Sequence, residues 1–207
     1  MPGAVIDVVV SLYRSFLWDS GKPLVAWQDL TLPRTGGGLG LRDMRTWNSA
    51  LLSRALWNIH AKKDSLWCRW IHYRYIKQGS VWDLQVTKDH SPLIRKVLQI
   101  RDLIVQRECT VDGAIRVIED WHRTGHMTAR AYEYLRRRVP RVAWASVVWT
   151  SYTPPKYSCV VWLALRTRLQ TTDRLLFMDL DPQCQLCSCS MESTQHLFFS
   201  CPFSEAV

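Results

Sequence analysis

No Lys or Arg follows Arg174 in this chain of 207 residues. Residues 1–174 hold all 27 basic residues against 14 acidic ones, a formal +13. The rest carries four acids and no base, a formal −4. Affinity for phosphate backbones comes mainly from Lys and Arg, so any such affinity is expected upstream of residue 175. The chain also has no Asp-Asp dipeptide. Two-metal polymerase chemistry needs paired carboxylates. The nearest approach, Glu119-Asp120, follows Val117-Ile118 where the motif wants an aromatic residue, and reads as a solvated helix end. No His is followed two positions later by Glu, which excludes a zinc deaminase. The dispersed acids on strand-rich segments that an RNase H would need are missing. We therefore expect no enzyme and no small-molecule substrate.

Long apolar runs are missing too. None approaches the ~20 residues of a bilayer span. The N-terminal candidate, residues 5–10, is interrupted by Asp7 and lacks a basic n-region and a cleavage site. The expectation is a nuclear or cytoplasmic protein, neither membrane-bound nor secreted. Seven cysteines, an odd number, fit metal binding in a reducing compartment better than a disulfide framework.

Four residues near the C-terminus carry most of the chemistry. Cys184, Cys187, His196 and Cys201 stand in the spacing C-x2-C-x8-H-x4-C. Three thiolates and an imidazole suit a closed tetrahedral zinc site. One tight turn can present the first two, and a second element can complete the set. With all four positions filled, no place remains for a catalytic water, so the reading is one structural Zn2+. Cys189, two beyond Cys187, is an alternative ligand by spacing. Phe198, Phe199 and Phe203 flank Cys201 and read as a small core against a neighbouring helix.

Strand signals are weak, the best being residues 81–86, and helical stripes dominate. The first runs from Pro2 through Ile6, Val10 and Leu17, and the second from Trp47 to Ile59. Asp64 or Ser65 caps a third, ending near Gly79, and Ser91-Pro92 starts a fourth. Asp112 and Thr128 are expected caps for two short helices. Pro140 starts a segment containing Trp144, Val147 and Val148. Pro154-Pro155 starts a helix through residues 159–169, and Thr172 caps a last turn through Leu176. The fold class is mainly α: short helices with a small C-terminal Cys-Cys-His-Cys module. Three parts follow: residues 1–62, a connector at 63–125 and a domain at 126–207, the last break falling in the run HRTGHMT.

Gly36-Gly37-Gly38-Leu39-Gly40 does not match a phosphate-binding loop and reads as a turn. The basic cluster Arg123, Arg130, Arg136, Arg137, Arg138 and Arg141 faces a single acid, Glu133. It is a nucleic-acid surface, a solvated helix face or a nuclear-import signal, with Tyr132, Tyr134 and Trp144 near enough to stack on unpaired bases. The eleven tryptophans read as core. Of the remaining histidines, none has a partner at metal spacing, and Cys68, Cys109 and Cys159 read as core thiols.

The runs RVAWASVVWTSYTPPKYSCVVWLALRTRLQTTDRLL, CQLC and ESTQHLFFSCPFS resemble the reverse-transcriptase zinc-binding domain. That module lies C-terminal to the polymerase in LINE-type (non-LTR) retrotransposons of plants. YRSFLWDSGKPLVAWQDLTLPRTGGGLGLRDMRTWNSALLSRALW resembles the thumb-like segment after the polymerase palm. The resemblance implies Cys184 and Cys187 as ligands with Cys189 a bystander, a structural role for the glycine run, and RNA or DNA as partner. Family polyproteins continue beyond the last ligand. The palm is absent, so polymerase activity does not carry over to these residues. A protein-interaction scaffold and an inert relic of a decayed element are the alternatives.

Overall fold

The computed structural model describes residues 1–19, 21–175 and 181–206. Ten α-helices are formed among them: α1 (Gly3–Leu17), α2 (Trp27–Leu30), α3 (Met44–His60), α4 (Leu66–Ile71), α5 (Pro92–Glu108), α6 (Val111–Arg123), α7 (Met127–Leu135), α8 (Ala145–Val148), α9 (Pro155–Leu165) and α10 (Pro202–Glu205). Single 3-10 turns cover Arg34–Gly36 and Thr172–Arg174, and π-helical turns cover His72–Ile76 and His196–Ser200. No strand forms among the described residues; a lone antiparallel bridge joins Gln183 to Met191. The protein is mainly α.

Packing divides the chain into two compact units, each made from two separate stretches. One comprises Met1–Gly21 with Leu41–Arg138, the other Lys22–Gly40 with Val139–Val207. The sequence was parsed as consecutive segments; these units interleave along it.

The first unit is built on α3, α5, α6 and α7, whose starts follow local capping chemistry. The side chains of Asp43, Ser65, Ser91 and Thr110 each accept a backbone N–H three residues on, satisfying donors that a helix start leaves unpaired. Two expected caps are corrected. Thr110, not Asp112, caps α6, and Asp112 lies in its first turn, where a carboxylate complements the helix dipole. At α7, His126 occupies the cap position without a side-chain bond, and Thr128 lies inside the helix. Leu56, Ile59, Val97, Ile104, Ile118 and Ala131 are among the side chains that close the core.

Residues 81–86, the best strand candidate, form a turn and loop instead. Arg101 on α5 explains why. Its buried guanidinium donates to the carbonyls of Val81 and Leu84, both at 2.6 Å, and pairs with Asp102 at 2.5 Å. Carbonyls held by a cation cannot serve a ladder.

In the second unit, α9 carries the fully buried Trp162. Its indole N–H donates to the Gly37 carbonyl at 2.9 Å, and Arg166 donates to the same oxygen at 3.1 Å while pairing with Asp29. The glycine run is thus a packed turn. Gly37 sits at φ +86°, and a Cβ on Gly38 would stand 2.1 Å from the Leu32 carbonyl oxygen. The segment that Pro140 starts has no regular structure up to a turn at Ala143-Trp144 and then forms α8; within it the Val142 N–H donates to the Thr35 carbonyl at 2.9 Å. The helix α9 ends at Leu165, short of residue 169, because Thr167 adopts φ +53°. The expected last turn covers Thr172–Arg174 with Thr171 in the cap position; its predicted end, Leu176, lies outside the described residues.

Candidate metal centre

Cys184, Cys187, His196 and Cys201 converge. One candidate ligand atom from each lies within 4.8 Å of all the others. Tetrahedral zinc with bonds of about 2.0–2.3 Å sets donor–donor edges of roughly 3.5–3.8 Å, so the cluster has the required size. Cys184 and Cys201 are fully buried and His196 nearly so. Cys187 Sγ lies 3.3 Å from His196 Nε2, which identifies Nε2 as the donor nitrogen turned into the cluster.

Two local structures produce this convergence. Around the first pair, the Cys184 N–H donates to the Ser190 carbonyl and the Ser188 N–H to the Cys184 carbonyl, both at 2.8 Å, with Ser188 at φ +53°. This turn doubles the chain back and places both thiols on one side. The second pair is separated by five positions, which an ordinary α-helix would set about 140° apart. The π-helical turn His196–Ser200 corrects the angle, since its i→i+5 period brings Cys201 back over His196. Ser193 supports the start of that turn by accepting the His196 N–H at 3.1 Å.

Electrostatics separate the two buried thiols. Burial pushes the Cys184 thiol above its ordinary value, partly offset by the N–H groups of Cys187 and Leu186. Burial also opposes ionisation at Cys201, but the N–H groups of Ser204 and Phe203 at the start of α10, with Cys187 and the Ser204 hydroxyl, outweigh it and hold that thiol low. N–H groups at a helix start favour a thiolate, and a thiolate is what a metal needs. The donor set fits zinc: three sulfurs and one nitrogen, with no fifth His, Cys, Asp or Glu joining the cluster among the described residues.

The comparisons with known proteins agree with this geometry. Residues 126–207 match the family described as zinc-binding in reverse transcriptase. The Uncharacterized mitochondrial protein AtMg00310 of Arabidopsis thaliana is 31% identical over 118 residues, which span 54% of this chain and 73% of that protein. The chain belongs to this zinc-binding family. The Putative ribonuclease H protein At1g65750 of the same plant is 32% identical over 80 residues, 36% of this chain. The chain spans only 13% of that longer protein's length. No solved structure matches.

Around the zinc-binding site, some expectations change. Cys189 is exposed; its thiol contacts the Cys187 carbonyl at 3.0 Å, and its N–H points at the Cys187 sulfur at 3.5 Å. It supports a ligand and stays outside the cluster. Phe198, Phe199 and Phe203 form no core: they are 41%, 75% and 54% exposed. The π-helical turn that aims His196 inward leaves Phe198 and Phe199 outward. The module is tied to the turn after α9 through Thr172, whose N–H donates to the Glu192 carboxylate at 3.2 Å and whose hydroxyl reaches the Pro182 carbonyl at 3.4 Å. Sequence reasoning passed over Ser193, Glu192 and Ser204. Only Ser193 leaves a signal, a hydroxyl three residues before a helical turn. Cys109, expected in a core, is exposed.

The arginines fall in both units. Arg123 pairs with Asp120 at 2.8 Å and Arg136 with Glu133 at 2.6 Å. Arg130, Arg137 and Arg138 are exposed and form no ion pair among the described residues. Arg138 lies over the Tyr134 ring at 5.9 Å. Arg141, also exposed, belongs to the second unit. The half-buried aromatic residues expected near them make contacts of their own. The Tyr132 hydroxyl accepts the Asp43 N–H at 2.9 Å, and its ring meets Trp47 edge-on. Tyr134 donates to Glu108 at 2.6 Å; burial and that carboxylate push its hydroxyl well above the usual phenol range. Trp144 packs against Gly37.

Proposed function

We propose that this chain is a non-catalytic nucleic-acid-binding module, equivalent to the C-terminal portion of a LINE-type reverse transcriptase and stabilised by one structural zinc. Cys184, Cys187, His196 and Cys201 would hold the ion, which closes residues 181–206 into a fold they cannot build from apolar burial alone. The observation that carries the nucleic-acid reading is the state of Arg130, Arg137 and Arg138: exposed, without ion pairs, and placed in the basic stretch rather than in the cation-free metal module. Guanidinium forks match phosphate geometry. RNA or DNA is the partner, and the module's role is to position it. The test is binding of single-stranded RNA to the zinc-loaded chain across a salt series. The expected log–log plot is linear, and changing Arg130, Arg137 and Arg138 to Ala should reduce its slope by about 2, at roughly 0.7 per phosphate contact. A flat plot overturns the reading.

A second reading has its own observation. Leu186, Met191, Phe198, Phe199 and Phe203 are all exposed on the metal module, as a protein-interaction surface would require. Binding that survives high salt and is lost on Phe199→Ser would favour it.

A further inference from the structure

At the opposite end of α7 from Arg136, Arg137 and Arg138, the first unit holds a cleft of about 380 Å³ between α3 and the α6–α7 turn. That is within the size range of small-ligand sites. Trp47, Arg54, Trp57, Lys63, His122 and His126 line it, and no acidic side chain does. Arg54 and Lys63 are exposed and form no ion pair among the described residues. His122 is exposed as well, yet it is held: its ring lies on the Trp57 indole with centroids 4.5 Å apart and planes 26° from parallel. One face of that imidazole is therefore packed on Trp57 and the other is turned away from it. The walls are set by two left-handed residues, Lys62 at φ +47° before Lys63 and Gly125 at φ +73° between the two histidines. Met127, Thr128 and Ala129 at the start of α7 also line the cleft, and no side chain caps this helix.

A supported aromatic platform beside unpaired cations is what a nucleotide needs: a flat ring and an anionic phosphate. We infer that this cleft binds one nucleotide of a single strand, its base stacked on the outer face of His122 and its phosphate between Arg54 and Lys63. The inference rests on the nucleic-acid reading above and adds a base-contacting ring to it.

The test uses the full, zinc-loaded chain with a fluorescent ten-nucleotide oligo-uridine, and uridine monophosphate as competitor. His122→Ala should weaken oligonucleotide binding about tenfold, the loss of one stacked base. The double change Arg54→Ala with Lys63→Ala should lower the salt slope by about 0.7, the loss of one phosphate contact. Arg54 and Lys63 form no ion pair among the described residues, so their variant should keep the wild-type melt; His122→Ala loses the Trp57 stack and should lower the melt slightly, so its binding is measured well below its own melt. A 4-thiouridine oligonucleotide should crosslink to the peptide carrying His122 or Trp57. Unchanged binding in the cleft variants, with loss in the Arg130, Arg137 and Arg138 variant, overturns the cleft and leaves the proposed function standing. Binding of uridine monophosphate but not of the oligonucleotide overturns the single-strand assignment in favour of a free nucleotide. No binding of either probe at low salt overturns both.

Discussion

Cys187 and Cys189 differ by two positions and by everything that matters to a metal. Cys187 Sγ faces His196, whereas the Cys189 thiol is turned to a backbone carbonyl in solvent. Cys184→Ser should abolish zinc binding by elemental analysis and remove the ordered fold of residues 181–206. Structural zinc sites contribute apparent binding free energies of about 10–16 kcal/mol near neutral pH. Cys189→Ser should keep the zinc and shift the melt by no more than a surface change does. His60 yields a pH prediction. Its Nδ1 accepts the Trp82 indole N–H at 3.0 Å, so the neutral ring is the one that fits. Burial lowers its pKa from 6.5, and Glu119 offsets this only in part. The folded state therefore takes up the proton less readily than the unfolded chain. The stability from this group is complete above pH 6.5 and is lost as pH falls through that value to the lower folded one. His60→Gln, which keeps an acceptor but does not titrate, should show a smaller drop in urea midpoint between pH 7.5 and 5.5 than wild type. Zinc is held saturating in both, so the metal site's own titration cancels.

Elements were legible where a local rule decides them. Ser91 caps the helix it was expected to cap, and Ser65, one of two expected candidates, caps α4, because the bond spans only three residues. Elements decided by distant partners were misread. Residues 81–86 have strand-like composition, yet Arg101, some twenty positions on, takes their carbonyls. Arg101→Met should cost about 3 kcal/mol, since it leaves buried carbonyls without a donor. Urea midpoints would measure the loss, and a change below about 1 kcal/mol would show that water replaces the guanidinium. The π-helical turn at His196 could not be read from helical periodicity, because it departs from that period to bring two ligands together.

At the scale of the whole molecule, the two units should respond differently to metal removal. The first has a continuous apolar core drawn from α3, α5, α6 and α7. The second has a smaller one around Trp162 and Leu30, and its C-terminal stretch is closed by the metal ligands. Hydrogen exchange before and after a strong chelator should show loss of protection in residues 181–206 and unchanged protection in α5 and α6. Equal loss throughout would mean that the metal stabilises both units. No helix among the described residues is long and apolar enough to cross a membrane.

The donor types, the helical class and the family were legible in the sequence alone, because each is local: a spacing of donors, a period of apolar residues, a short run of matching positions; that Cys187 rather than Cys189 joins the cluster was decided by the fold. Tertiary structure decided what depends on residues far apart in the chain. It joined residues 22–40 to 139–207 as one unit, through donors on α9 that converge on the Gly37 carbonyl. It turned the phenylalanines beside Cys201 outward, and it laid His122 on Trp57 across 65 positions of sequence. Hydrogen bonds and ring contacts act over a few ångströms of space, and only the folded chain sets which residues share that space.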